Sequence, residues 1–319
     1  MKLIAQVKLQ VTQEQHFALL DTLQRANRAC DALSAWAWEH QTYGQFAIHK
    51  ARYATVRAEF DLTAQVVVRC ISKVADAYKL DKAALRTFKP TGAIAYDDRI
   101  LRWYAKSREV SLWTTAGRLT IPYSCGERQK GMLRTRQGES DLVFSNGSWF
   151  LLATCNLEDA PPITPTGVLG VDFGITEIAV DSEGNFYSGE PIKKIRRAVK
   201  RHRSGLQSCG TPSAKRPLCR IRRKQSRFVR DANHVISKKI VAAALISCKA
   251  PTRSRGPRLR VGTIAVENLE GIRQRVSASK EMRWLLGNWA FLQLKLFVLY
   301  KAKRAGVPVV EVDAVNLLC

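Results

Sequence analysis

The sequence predicts an α+β protein in several parts, with a mixed α/β sheet in its second half. Three observations carry this. From about residue 90 to residue 155 apolar and polar residues alternate with a period of two between turn signals, the mark of antiparallel strands. Beyond residue 167, short apolar strands alternate with long helical stretches, which implies at least some parallel pairing. Between them lies the proline-rich stretch Asp159–Pro165, the best domain boundary in the chain.

Residues 2–11 read as a strand. Thr12 followed by Gln15 is a capping-box signature, and Phe17, Leu20, Leu23, Cys30 and Leu33 place a helical apolar stripe over residues 13–40. Two further helices follow near 44–58 and 63–79, the second with Val66, Val67, Cys70, Ile71 and Val74 inward. Trp36, Trp38 and Tyr53 read as packing residues, with base stacking as the alternative. Strands then follow at Arg99–Ser107, Val110–Thr115 and Arg118–Tyr123, and at Asp141–Phe144 and Trp149–Cys155 around an Asn146-Gly147 turn. The simplest arrangement is a small antiparallel barrel or sheet of residues 1–12 and 90–158, interrupted by a helical insert at 13–89.

The second half opens with GVLGVDFGITEIAVDSEGNFYSGE, residues 167–190. An apolar strand carries Asp172 to a turn that Gly174 permits, and Ile178, Ala179 and Val180 run back toward a Ser182–Asn185 turn. A carboxylate at such a lip has two common roles. It holds a hard cation such as Mg²⁺, or it accepts the backbone N–H groups of a turn.

Charge narrows the choice of partner. The 319 residues include 52 Lys and Arg against 27 Asp and Glu, a net charge of +25. Residues 191–260 hold 22 of these cations and one acid, Asp231, and so carry +21 of that charge. The stretch reads as two helices, 191–206 and 218–248, separated around Cys209–Pro217, with Phe228, Val235, Ile236, Ile240, Val241 and Leu245 on the apolar side of the second. The opposite side presents candidate phosphate contacts: Lys193, Lys194, Arg196, Arg197, Lys200, Arg201 and Arg203, then Arg220, Arg222, Arg223, Lys224, Arg227 and Arg230. Such density repels itself unless a polyanion compensates, which points to nucleic acid. A membrane partner is disfavoured, because no apolar run approaches 18 residues and no basic helix has a clean apolar face. MKLIAQVKLQ contains no signal-peptide core, so a cytoplasmic location is expected. The eight cysteines form no C-x-x-C pair, which argues against a disulfide framework or a zinc ribbon and for small buried hydrophobes.

Another strand, LRVGTIAVENL at 259–269, also ends in an acid, Glu267. A helix from about Lys280 to Ala305 follows, with Trp284, Leu285, Trp289, Leu292, Leu296 and Leu299 inward; Gly306 caps it, and Val307–Val312 leads to Asp313. Two strand-borne acids in one α/β domain can converge on divalent cations, the requirement of two-metal phosphodiester hydrolysis.

Taken together, GVDFGI, RFVRDANHVISKKIV, TIAVENLEGIR and NWAFLQLKLFVLYKAKRAGVPVVEVD resemble the transposon-encoded TnpB family, the OrfB-type transposases, over residues 167–313. The resemblance implies a RuvC-like, ribonuclease-H-type nuclease domain at 167–319, related to the type V CRISPR effectors. It also implies a linker at 159–166 and, before that, a wedge-like β-barrel carrying a helical recognition insert. By position Asp172 and Glu267 resemble the first two catalytic carboxylates and ligands of Mg²⁺. Guide RNA and target DNA are the implied partners, DNA transposition the implied context, and the nucleoid the implied setting. The family's third acid follows a four-cysteine zinc ribbon beyond the VVEVD strand, whereas this chain reaches Cys319 six residues after Asp313. Asp313 matches a different position. The expectation is therefore an incomplete site without zinc, impaired in cleavage, or alternatively a non-catalytic RNA- or DNA-binding regulator from such a transposon gene. An actin/hexokinase-like kinase would need a second Asp-x-Gly hairpin and a Gly-Gly loop, and the sequence has neither.

Overall fold

Alternation in KLIAQVKL sends Ala5, Val7 and Leu9 into a core and makes β1, Lys2–Leu9. The structure is a computed structural model that describes residues 1–165, 167–174, 176–246, 262–269 and 290–313. The chain divides into two units, Met1–Leu157 and Glu158–Cys319.

In the first unit three helices follow β1: α1 (Gln13–Glu39), α2 (Gln45–Glu59) and α3 (Ala64–Leu80). The capping box is formed as the sequence signals, with the Gln15 N–H donating to Thr12 Oγ1 and the Thr12 N–H to Gln15 Oε1. The helices pack through Cys30, Leu33, Val67, Cys70 and Val74, and the buried Tyr78 and Ser34 hydroxyls share a hydrogen bond of 2.9 Å. Trp36, Trp38 and Tyr53 lie half-buried against this core, with Trp36 stacked on His40 and Tyr53 on His49. Packing therefore accounts for all three.

The strands of this unit are β2 (Ile94–Tyr96), β3 (Leu101–Tyr104), β4 (Glu109–Thr114), β5 (Gly117–Ser124), β6 (Arg136–Ser145) and β7 (Ser148–Asn156), with a short α4 (Glu127–Leu133) before β6. Their order is β2-β6-β7-β1-β5-β4-β3, so β1 returns across the helices to the middle of the sheet. The two ends of the sheet curl toward each other, and the Tyr96 hydroxyl of β2 donates to the Trp113 carbonyl of β4. The result is a nearly closed, barrel-like antiparallel sheet.

The second unit contains β8 (Val168–Asp172), β9 (Glu177–Asp181), β10 (Phe186–Ser188), α5 (Glu190–Ser208), α6 (Pro212–Ile246), β11 (Thr263–Asn268), α7 (Phe291–Arg304) and β12 (Val309–Asp313). The sheet runs β10-β9-β8-β11-β12, with β8–β9 and β9–β10 antiparallel and β11 parallel to both β8 and β12. This is the ribonuclease-H-type arrangement. One face packs Leu169, Val171, Ile264 and Val266 with Ile236, Ile240 and Ala244 of α6 and Leu294 and Val298 of α7. Burying those apolar faces fixes which strand residues point the other way, because strand side chains alternate.

Two expectations change. The second basic helix begins at Pro212, not 218, and contains Pro217. Pro212 suits a first turn, and Pro217, one turn further in, forfeits only the bond to the carbonyl of Ser213, a residue exposed to solvent. The proline-rich stretch also differs from a free linker. The Ala160 N–H donates to the Arg304 carbonyl and the Ile163 N–H to the Gly306 carbonyl, which ties the stretch to the end of α7. The expected residues 259–261 of the strand and 280–289 of the helix, with Trp284, Leu285 and Trp289, lie outside the described residues, as do Lys249 and the four arginines 253, 255, 258 and 260.

Candidate functional site

Asp172 and Glu267 are brought to one place by strand register. Thr263 to Val266 pair in parallel with Val168 to Val171, and Val171 and Val266 both point into the core. One residue on, Asp172 and Glu267 therefore point to the opposite face from neighbouring strands, whose backbones are about 5 Å apart. Both line an open cleft of about 550 Å³ with Gly170, Val180, Ser182, Ala265 and Val312. Gly170 and Ala265 precede the two acids by two positions on the same face, and their small size keeps the floor clear. Gly174, in the loop after β8, is required by close approach: a Cβ there would lie 2.6 Å from the Glu177 carbonyl oxygen.

The two roles open to a carboxylate in this hairpin are divided between two residues. Asp181, at the end of β9 and 3% exposed, accepts the N–H groups of Glu183 (3.2 Å) and Asn185 (2.9 Å), the Asn185 side-chain amide and the Tyr187 hydroxyl (3.0 Å). It braces the β9–β10 turn. Burial, followed by this bond to Asp181, pushes the Tyr187 phenol well above its ordinary pKa. Asp172 is exposed and accepts no hydrogen bond from any described residue, which leaves its oxygens available to a ligand.

These donors fit Mg²⁺. That ion prefers hard oxygens, keeps several waters, and is commonly held by one or two carboxylates together with substrate phosphates. Among the described residues no thiol or imidazole lines the cleft. Among the described residues no group of three or more His, Cys, Asp and Glu side chains is placed to hold a metal. The side chain of Asp313 lies outside the described residues.

The basic residues sit on α5 and α6. Lys194, Arg197, Lys200, Arg201 and Arg203 on α5 are exposed, as are Arg220, Arg222, Arg223, Lys224, Arg227 and Arg230 on α6. Lys193 is half-buried. Arg196 departs from the expected set. At 9% exposure it lies with Ile192 on the inner side of α5, beside Val229 and Asn233 of α6, and burial lowers its guanidinium pKa. Its position four residues after Ile192 places it on the packed stripe, a signal present in the spacing. It therefore belongs to the packing of the two helices and not to their solvent face.

Comparison with known proteins agrees with this architecture. The family model OrfB_IS605, described as a probable transposase, matches residues 153–245, from β7 through Asp172 to the apolar half of α6. A CRISPR-associated endodeoxyribonuclease, Cas12f1 of Syntrophomonas palmitatica, is 25% identical over 184 residues, 52% of this chain and 34% of the relative. The chain is thus similar to OrfB-type transposases over the first strands and basic helices of its second unit. The cryo-EM structure of a Cas12f1–sgRNA–target DNA complex superposes on 96% of this chain and 74% of its own with a TM-score of 0.59, at 14% identity. The likeness extends the shared fold to both units. The chain spans about a third of the length of the curated relative.

Several exposed cations of α6 escape the sequence reading, among them Arg216. Starting the second helix at 218 omits Arg216, which stands exposed in the first turns of α6. Its signal is spacing: it lies four residues before Arg220 and seven before Arg223. Cys209 and Cys219 are likewise exposed rather than buried, because they flank the polar start of α6. Among the described residues no helix is long and apolar enough to cross a membrane.

Proposed function

We propose that the protein is an RNA-guided, Mg²⁺-dependent DNA endonuclease of the transposon-associated kind. Asp172 and Glu267 serve as metal ligands, and the exposed cations of α5 and α6 hold the phosphates of guide RNA and target DNA. The observation that carries this reading is the parallel register of β8 and β11, which sets two carboxylates side by side over a floor kept open by Gly170 and Ala265. On the same reading the barrel-like sheet with its helical insert is the wedge and recognition part, and the protein works at the nucleoid.

Mg²⁺ bound there would polarise a phosphate oxygen and lower the pKa of a coordinated water. The protein's own part is positioning. Short side chains on rigid neighbouring strands hold their oxygens in fixed places, and the shallow floor admits a sugar–phosphate backbone between them. Asp181, through the braced turn, keeps the end of β9 in register beside Asp172, its partner being Val180. The net charge of +25 draws a polyanion to the molecule, with a strong dependence on salt.

A second reading rests on a specific observation. Of the three acids that line the cleft among the described residues, Asp181 is buried and engaged by the β9–β10 turn, which leaves Asp172 and Glu267, so a regulator that binds nucleic acid without cutting it would have the same fold and charge. The test is incubation of the purified protein with guide RNA, matched target DNA and Mg²⁺. Strand scission that is lost in Asp172→Ala and in Glu267→Gln supports the nuclease. Tight binding of guide and target by the wild type, without scission across a Mg²⁺ titration, overturns it in favour of the regulator.

A further inference from the structure

Within α6 the exposed arginines are not scattered. Arg216, Arg220, Arg223, Arg227 and Arg230 follow one another at intervals of four, three, four and three residues, which on a helix of 3.6 residues per turn is a single row along one face. The row spans about 21 Å with one guanidinium per turn, each about 5 Å from the next. All five side chains are exposed, and none has an ion-pair or hydrogen-bond partner among the described residues. Asp231, the single acid of this helix, stands beside the end of the row and is likewise exposed. Along the packed face of α6, Val229, Ile236, Ile240 and Ala244 bury against the sheet and neighbouring helices, which holds the row straight and outward.

The row itself is uniform in residue type. Its five positions are all arginine, whereas Lys215, Lys224 and Lys239 stand off it together with Arg222. A general solubilising charge has no preference between the two types. A planar fork that grips two oxygens of one phosphate does. Like charges three and four residues apart also oppose the helix unless a polyanion lies over them.

We infer that Arg216, Arg220, Arg223, Arg227 and Arg230 form a phosphate ladder that seats the sugar–phosphate backbone of one polynucleotide strand lengthwise along α6. The inference rests on the nucleic-acid reading of the basic helices and sharpens it: it names the five contacts, their mode and the direction of the bound strand. A single row contacts successive phosphates of one strand, so it fixes position and leaves base identity unread.

The test uses the full-length protein and fluorescence anisotropy with three probes: a single-stranded RNA, a single-stranded DNA and an RNA–DNA duplex, each titrated over a range of salt. Changing all five residues from Arg to Lys preserves charge and helix propensity. It is expected to weaken binding to at least one probe by tenfold or more, and the probe that suffers most identifies the docked strand. Changing all five from Arg to Gln is expected to flatten the slope of log K against log salt by about 3.5 on single strands or about 4.5 on duplex. Gln at Lys215, Lys224 and Lys239 is expected to change that slope less per charge removed. Equal binding by the wild type and the lysine variant, or an equal loss of slope per charge on and off the row, overturns the ladder and leaves diffuse electrostatics. Failure of the wild type to bind any probe instead overturns the nucleic-acid reading beneath it. Circular dichroism of each variant shows that α6 is intact.

Discussion

Replacing Asp181 with alanine separates a turn-bracing carboxylate from a metal ligand. In the structure its oxygens accept from two backbone N–H groups, the Asn185 amide and the Tyr187 hydroxyl while almost wholly buried. Hydrogen bonds to a charged acceptor are worth about 1.5–3 kcal/mol each but are not additive within one network. Glu183 and Asn185 are exposed, so water takes over part of their bonding, whereas Tyr187 is left with a buried hydroxyl. The expected cost is about 3–4 kcal/mol, or a fall of roughly 10 °C in the melting of a unit this size. Calorimetry on the full chain, with Asp181→Ala, Tyr187→Phe and both together, measures it. Tyr187→Phe alone should cost about 1–2 kcal/mol, and the double change less than the sum because the pair shares one bond. Metal binding below the melting temperature should persist in Asp181→Ala. A loss of under 0.5 kcal/mol together with loss of metal binding would refute the division of roles between Asp181 and Asp172.

Three further outcomes follow from particular contacts. The Tyr187 phenol has its pKa raised in the folded state, so its contribution to stability is intact below the ordinary phenol value of about 10 and is lost as pH rises through the folded value. Alkaline denaturation should therefore be less steep in Tyr187→Phe than in the wild type, as followed by circular dichroism. Gly306 has φ of +72°, and a Cβ there would lie 2.2 Å from the Pro161 carbonyl oxygen. Gly306→Val should cost about 3 kcal/mol and open residues 159–165 to limited proteolysis, from which the wild type is protected. Arg201→Gln should lower the salt slope of nucleic-acid binding by about 0.7–0.9, whereas Arg196→Gln should leave the slope unchanged and reduce stability, since Arg196 lies inside the α5–α6 packing.

Local signals carried much of the fold into the sequence. The capping box at Thr12 and Gln15 is formed as the residues signal, and the Asn146-Gly147 turn has positive φ at both residues, as a two-residue hairpin requires. Asp172 and Glu267 were legible because each ends an apolar strand, but their adjacency was not, because it arises from parallel pairing between strands nearly a hundred residues apart. Short elements such as β2 and α4 leave too few residues for a period to emerge. Pro217 conceals the start of α6, since a proline reads as a break wherever it falls, while its cost depends on which carbonyl loses its partner. Charge likewise conceals the burial of Arg196: composition groups it with the exposed cations, and only its place after Ile192 separates it. Asp181 carries no signal of its own in the sequence, and its role emerges only where the Tyr187 hydroxyl reaches it.

The central claim, that strand register converts Asp172 and Glu267 into one metal site, is tested most directly by titrating the protein with Mn²⁺ and following the free ion by electron paramagnetic resonance, with Mg²⁺ as competitor. The account predicts wild-type binding that Mg²⁺ displaces and that is lost in Asp172→Asn and equally in Glu267→Gln, since each removes half of one site. Binding that survives both changes together, or that depends on one acid and ignores the other, would contradict it.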